Sequence, residues 1–92
     1  MSKKKPNFLR GFTTALDLPK ELVFNLPRIV MLSNEEVYIE NYKGIVNYTD
    51  KEIRLNTNKI PLKITGSSLE IAQITADDVT ITGKICTIEF SN

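Results

Sequence analysis

Few side chains in this sequence could do chemistry. Asp77 and Asp78 stand side by side in a polar stretch, with Glu70 and Glu89 near them in sequence. Carboxylates grouped in this way can serve a cation or form an acid/base pair. Neighbouring residues of an extended chain point to opposite faces, however, and a hard cation wants about six converging oxygens. Solvated turn acids are therefore the expected reading, with no metal and no cofactor. Cys86 is the single cysteine. It alternates with Ile88 and Phe90, which assigns it to their face as a small core residue. Nothing near it in sequence predicts the cationic setting that activates a thiol. With no histidine and one cysteine, an imidazole base, a Cys/His zinc site and a disulfide within one chain are all excluded. Phosphate-cradling loops and nucleophile elbows are missing as well. The expectation is a protein that is not an enzyme.

If surfaces do the work, charge and hydropathy should show where. The chain has 92 residues, 41% apolar and 25% charged, enough for one domain with a thin core. Its longest apolar run, Ile29-Val30-Met31-Leu32, is far short of the roughly 20 residues that span a bilayer. The basic start lacks the apolar stretch of a secretory signal. A formal net charge of +1 conceals a division: Lys3, Lys4, Lys5 and Arg10 fall within residues 1–12 without a single acid, and the remaining 8 basic residues face all 11 acids. A basic arm on an acidic body attracts anionic surfaces through long-range, salt-sensitive fields. Phe8, Leu9, Phe12 and Leu16 fall on one face of a helix that Asn7 could cap. Lys3, Lys4, Lys5, Phe8, Leu9, Arg10 and Phe12 are thus the candidate contacts to a protein partner or to a membrane surface.

The elements that would carry such surfaces divide at residue 27. Residues 1–27 read as a basic, amphipathic arm and a connector, in which Pro19 and Pro27 bracket Leu22, Val23 and Leu26. Residues 28–92 read as a single all-β domain, because 22 of those 65 residues are Ile, Val or Thr, which suit a pleated, half-buried surface. Polar turn signals recur at Ser33-Asn34, Asn41 to Gly44, Thr49 to Lys51, Asn56 to Lys59, Gly66 to Ser68, Thr75 to Asp78 and Gly83-Lys84. Between them, alternation pairs Val37 with Ile39, Ile53 with Leu55, Ile60 with Leu62 and Ile64, Leu69 with Ile71, and Val79 with Ile81. The prediction is a small antiparallel meander of six to eight short strands, forming a sandwich or roll. Pro61 lacks an amide donor and marks its strand as an edge or as bulged. An internal echo, Ile64-Thr65-Gly66 against Ile81-Thr82-Gly83 with Ile71 against Ile88, leaves a β-solenoid-like stack as the alternative.

Nucleic acid is not an expected partner. Tyr38, Tyr42 and Tyr48 do lie near Lys43, Lys51 and Arg54, as in stacking platforms. Residues 28–92 nonetheless carry 7 basic against 9 acidic residues, the wrong sign for a phosphate backbone. Asn47-Tyr48-Thr49 fits the glycosylation triplet but carries little weight without a secretory signal.

The stretch from Leu18-Pro19-Lys20-Glu21-Leu22 through Leu26-Pro27-Arg28-Ile29, followed by Val37-Tyr38-Ile39-Glu40-Asn41-Tyr42-Lys43-Gly44, resembles the YabP/YqfC family of sporulation proteins. So do Leu62-Lys63-Ile64-Thr65-Gly66, Leu69-Glu70-Ile71 and Val79-Thr80-Ile81-Thr82-Gly83-Lys84-Ile85. The basic, aromatic N-terminal segment points to the YqfC-type branch. Leu26, Pro27, Arg28, Glu40, Asn41, Gly44, Gly66 and Gly83 carry the resemblance and read as fold-defining, with Arg28 suited to pair with Glu40. Tyr42 stands where the family often has His, which argues against an essential imidazole there. The resemblance implies a role in endospore formation in Firmicutes, in the mother-cell cytoplasm around the developing spore. The protein would act as an adaptor or structural component at the outer forespore membrane or coat, with a sporulation-specific and membrane-bound partner. A self-assembling β module and a peripheral membrane module are the alternatives.

Overall fold

The computed structural model describes residues 26–91. Lys3, Lys4, Lys5, Phe8, Leu9, Arg10 and Phe12, with the predicted amphipathic helix and most of the connector, lie outside the described residues. The described part is all-β: β1 (Arg28–Leu32), β2 (Glu36–Glu40), β3 (Tyr42–Tyr48), β4 (Glu52–Thr57), β5 (Leu62–Ile74) and β6 (Asp78–Phe90). They form one sheet in the order β1-β2-β6-β5-β4-β3, and every pairing is antiparallel.

Threonines start three of the turns by the same device. The hydroxyl of Thr49 accepts the N–H groups of Lys51 and Glu52 at 3.1 and 2.9 Å. That of Thr75 accepts those of Asp77 and Asp78 at 3.1 and 3.0 Å, and that of Thr57 accepts the Lys59 N–H at 2.9 Å. A side-chain oxygen that takes up amides two and three residues ahead holds the chain in a tight reversal. Pro61 immediately precedes β5, which is an interior strand. The ring thus removes no ladder donor and the edge alternative fails, while β5 does carry bulges, further along, from Thr65 onward.

The long β5–β6 hairpin shapes the molecule. Both strands have 13 residues and pass straight through Gly66–Ser68 and Gly83-Lys84, which read as turns in the sequence. Register shifts between Thr65 and Gly66 and between Ser67 and Glu70 bend the two strands together, as bulges do. The first half of β5 pairs with β4, and the first half of β6 pairs with β2. Each bend is also capped by a turn from outside the hairpin. Gly66 and Leu69 donate to the carbonyls of Lys51 and Asp50 at 3.0 and 2.8 Å, while Gly83 and Ile85 donate to those of Glu35 and Asn34 at 3.1 and 2.8 Å. The Ile-Thr-Gly echo is therefore the mark of an approximate two-fold arrangement about one hairpin, and stacked solenoid coils do not form.

The bend rolls the sheet on itself. Val37, Ile39, Val79 and Ile81 on one side and Ile53, Leu55, Leu62 and Ile64 on the other join one buried cluster with Leu69, Ile85 and Tyr42. Across the roll, the Tyr48 hydroxyl accepts the Ile71 N–H at 3.0 Å and the Tyr42 hydroxyl donates to the Thr75 carbonyl at 2.7 Å. Cys86 is exposed rather than in the core. Thr87 pairs with Thr65 and Ile85 with Gly66, so Cys86 is the extra residue of a bulge. Side-chain parity flips there, and Ile85 takes the buried place.

Candidate functional site

The polar residues singled out in the sequence converge at one corner, where the chain leaves β2 and enters β3 on the other side of the roll. Asn41 is the only residue between the two strands. Its φ of 65° lies in the left-handed region, which Asn enters more readily than most residues. Its backbone N–H donates to the Asp77 carbonyl at 2.7 Å, and its side-chain amide Nδ2 donates to the Leu26 carbonyl at 2.8 Å. One residue thus ties the start of β1 and the β5–β6 turn to the β2–β3 corner.

A chain of charged groups runs beside it. Arg28 pairs with Glu40 across β1 and β2, and Arg28 Nη1 donates to Glu40 Oε1 at 3.1 Å. Glu40 pairs in turn with Asp78 across β2 and β6. Between these carboxylates sits the Tyr38 hydroxyl, 3.0 Å from Asp78 Oδ2 and 3.2 Å from Glu40 Oε2. Thr75 Oγ1 donates to Asp78 Oδ1 at 2.9 Å and completes the row. The ion pair is half exposed and so contributes at most about 1 kcal/mol. The row mainly fixes how β1, β2 and β6 lie against one another.

The chemistry of this corner is proton retention. Partial burial, donation to Asp78 and Glu40, and their negative charges push the Tyr38 hydroxyl from its ordinary 10.0 up to about 12. A nucleophilic phenolate would need the opposite shift. Because the folded protein holds this proton more tightly than the unfolded chain, the stabilisation is full below about pH 10 and is lost as pH rises toward 12. Urea midpoints should fall across that window. Tyr38→Phe should flatten the fall, and an unaltered slope in Tyr38→Phe would count against this account.

Among the described residues no group of three or more Asp, Glu, Cys or His could hold a metal ion. Leu26, Arg28, Glu40 and Asn41 come together at the corner, and Pro27 links the first two. Gly66 and Gly83 belong to the hairpin bend, and Gly44 to the bulge between Tyr42 and Gly44 in β3. Tyr38, Thr75 and Asp78 were not marked as partners of this corner by sequence. The Thr75-x-x-Asp78 spacing signals their turn, but only the pairing of β2 with β6 brings Tyr38 to it.

The profile of the YabP family matches residues 25–92. The chain belongs to this family. Over 90 residues the chain is also 28% identical to the Bacillus subtilis protein named "Uncharacterized protein YqfC", covering 98% of this chain and 97% of that protein. The Leu-Pro-Arg and Ile-Glu-Asn steps that carried the resemblance are, in this YabP-family structure, the two strand ends joined by Asn41. No helix among the described residues is long and apolar enough to cross a membrane.

Proposed function

We propose that this YabP-family protein is a non-enzymatic adaptor or structural component of endospore formation. It would work in the mother cell around the developing spore and dock on another sporulation protein at the outer forespore membrane or coat. Its membership of the family, with a YqfC-type relative aligned over nearly the whole length, carries the reading. The corner chemistry supports it: Arg28, Glu40, Tyr38, Asp78 and Asn41 are engaged with one another or with the backbone, as in a framework that holds surfaces in place. The basic segment is the natural partner contact, since four cations without an acid attract an acidic surface over a Debye length.

Deleting residues 1–12 tests this directly. In sporulating cells a fluorescent fusion of the shortened chain should lose its position at the spore surface. The purified shortened chain should keep the melting behaviour of the full chain. Unchanged localisation of the shortened protein would remove the segment from the docking role.

A further inference from the structure

We infer that the free edge of β1 is a homodimer interface, at which β1 pairs antiparallel with β1 of a second copy about a two-fold axis near Val30. A six-stranded sheet has two outer strands, here β1 and β3, and they are treated differently. The β3 ladder is broken by register shifts between Tyr42 and Gly44 and between Ile45 and Asn47. Its tyrosines are tied across the roll to Thr75 and Ile71. These irregularities prevent a straight strand from adding there.

The β1 edge carries none of those protections. Its five residues pair with β2 in unbroken register. Past Arg28 it presents Ile29-Val30-Met31-Leu32, with no Lys, no Pro and no bulge. Val30, Met31 and Leu32 are 41%, 44% and 67% exposed, although they sit in a strand whose outer side pairs with no other strand among the described residues. Edge strands of that kind template pairing with another strand.

Self-complementarity favours a second copy as the occupant. In an antiparallel pairing centred on Val30, Ile29 faces Met31 of the other copy on the inner side. That contact prolongs two existing rows, Ile29–Ile39–Val79 and Met31–Val37–Ile81. On the outer side Arg28 faces Leu32 of the other copy, whose own neighbour on β2 is Glu36. Two strand spacings, about 10 Å between Cα atoms, separate Arg28 from that carboxylate, a span that the two side chains can bridge. Glu35 and Glu36 have no ion-pair partner among the described residues. Each end of the seam therefore brings Arg28, which also holds Glu40, toward an acidic pair without an ion-pair partner among the described residues, whereas a parallel arrangement would set Arg28 beside Arg28. A five-residue seam is smaller than a standard interface, so dissociation on the order of micromolar is expected.

The test is sedimentation equilibrium of the full chain over a wide concentration range. The native protein should move from monomer toward twice the monomer mass. Val30→Lys sets two like charges face to face at the axis and should weaken association at least tenfold. Val46→Lys, at a 60% exposed position on β3, should leave it unchanged. Circular dichroism melts should show both variants folded. In a Cys86→Ser background, Val30→Cys should form a disulfide-linked dimer under mild oxidation. A full chain that stays monomeric means the edge is covered by its own N-terminal segment or reserved for a foreign strand, and overturns the inference. A dimer that is indifferent to Val30→Lys, or no cross-link through Val30→Cys, does the same.

Discussion

Gly66→Ala is expected to remove a large share of the protein's stability. A Cβ at position 66 would lie 1.9 Å from the Lys84 carbonyl oxygen, 2.9 Å from its carbon and 3.1 Å from Ile85 Cα. Non-bonded heavy atoms prefer roughly 3.5–4.0 Å, and all three contacts are to backbone that is itself paired with β5. No side chain can swing aside, so relief requires the hairpin to part at its bend. A cost of about 4 kcal/mol or more follows for strain of this kind. Total stability at roughly 0.05–0.15 kcal/mol per residue is only about 5–14 kcal/mol for a chain of 92 residues.

The pseudo-symmetric position should behave almost as badly. In Gly83→Ala the new methyl would meet the Ser68 carbonyl oxygen at 2.5 Å, at a φ of +134° that disfavours any side chain. Gly44 separates the two causes. Its φ is +143°, yet nothing lies within 4 Å of a Cβ built there, so Gly44→Ala should show backbone strain alone, about 1–3 kcal/mol. Melting temperatures should rank native, Gly44→Ala, Gly83→Ala and then Gly66→Ala. Each kcal/mol corresponds to roughly 4–8 °C in a domain of this size. A Gly66→Ala protein melting within a few degrees of the native one would falsify the close crossing of β5 and β6.

The same bend shows how far sequence reasoning reaches. Alternation identifies the inner face wherever a strand runs without a bulge, and Val37 with Ile39, Ile53 with Leu55, Leu62 with Ile64 and Val79 with Ile81 are all buried. It fails where an inserted residue changes parity. Cys86 shares a nominal face with Ile88 and Phe90, yet the bulge beside Gly66 sends it to solvent. Gly66–Ser68 and Gly83-Lys84 have the composition of turns. Only the pairing of the two strands distinguishes a shared bend from two reversals, and pairing is a long-range property that local composition does not carry. Arg28 and Glu40 were legible as partners through complementary charge. Their link to Asp78 through Tyr38 was not, because it depends on β2 lying beside β6 across a separation of 40 residues.

Ile81→Ala should produce the largest loss from a change that adds no strain. Ile81 is fully buried at the middle of the sheet, with Val37 opposite it on β2 and Ile71 opposite it on β5. Truncation removes the transfer free energy of the lost carbons and leaves a cavity, at about 2–5 kcal/mol. The upper part of that range is expected, because the neighbouring backbone is already in close contact where Gly83 meets Ser68 and Leu69 and cannot collapse into the space. Ile81→Val, which removes one carbon, should cost about 0.5–1.5 kcal/mol. Ile60→Ala is the comparison, since Ile60 lies between β4 and β5 and remains exposed, and it should stay within about 0.5 kcal/mol. Urea denaturation should report these losses as lower midpoints at nearly constant slope. If Ile81→Ala and Ile60→Ala lost equal stability, the core could not be centred on the β2–β6–β5 row. That row also reaches Met31 on β1. A core held firmly at Ile81 thus also anchors the row that runs out to the β1 edge.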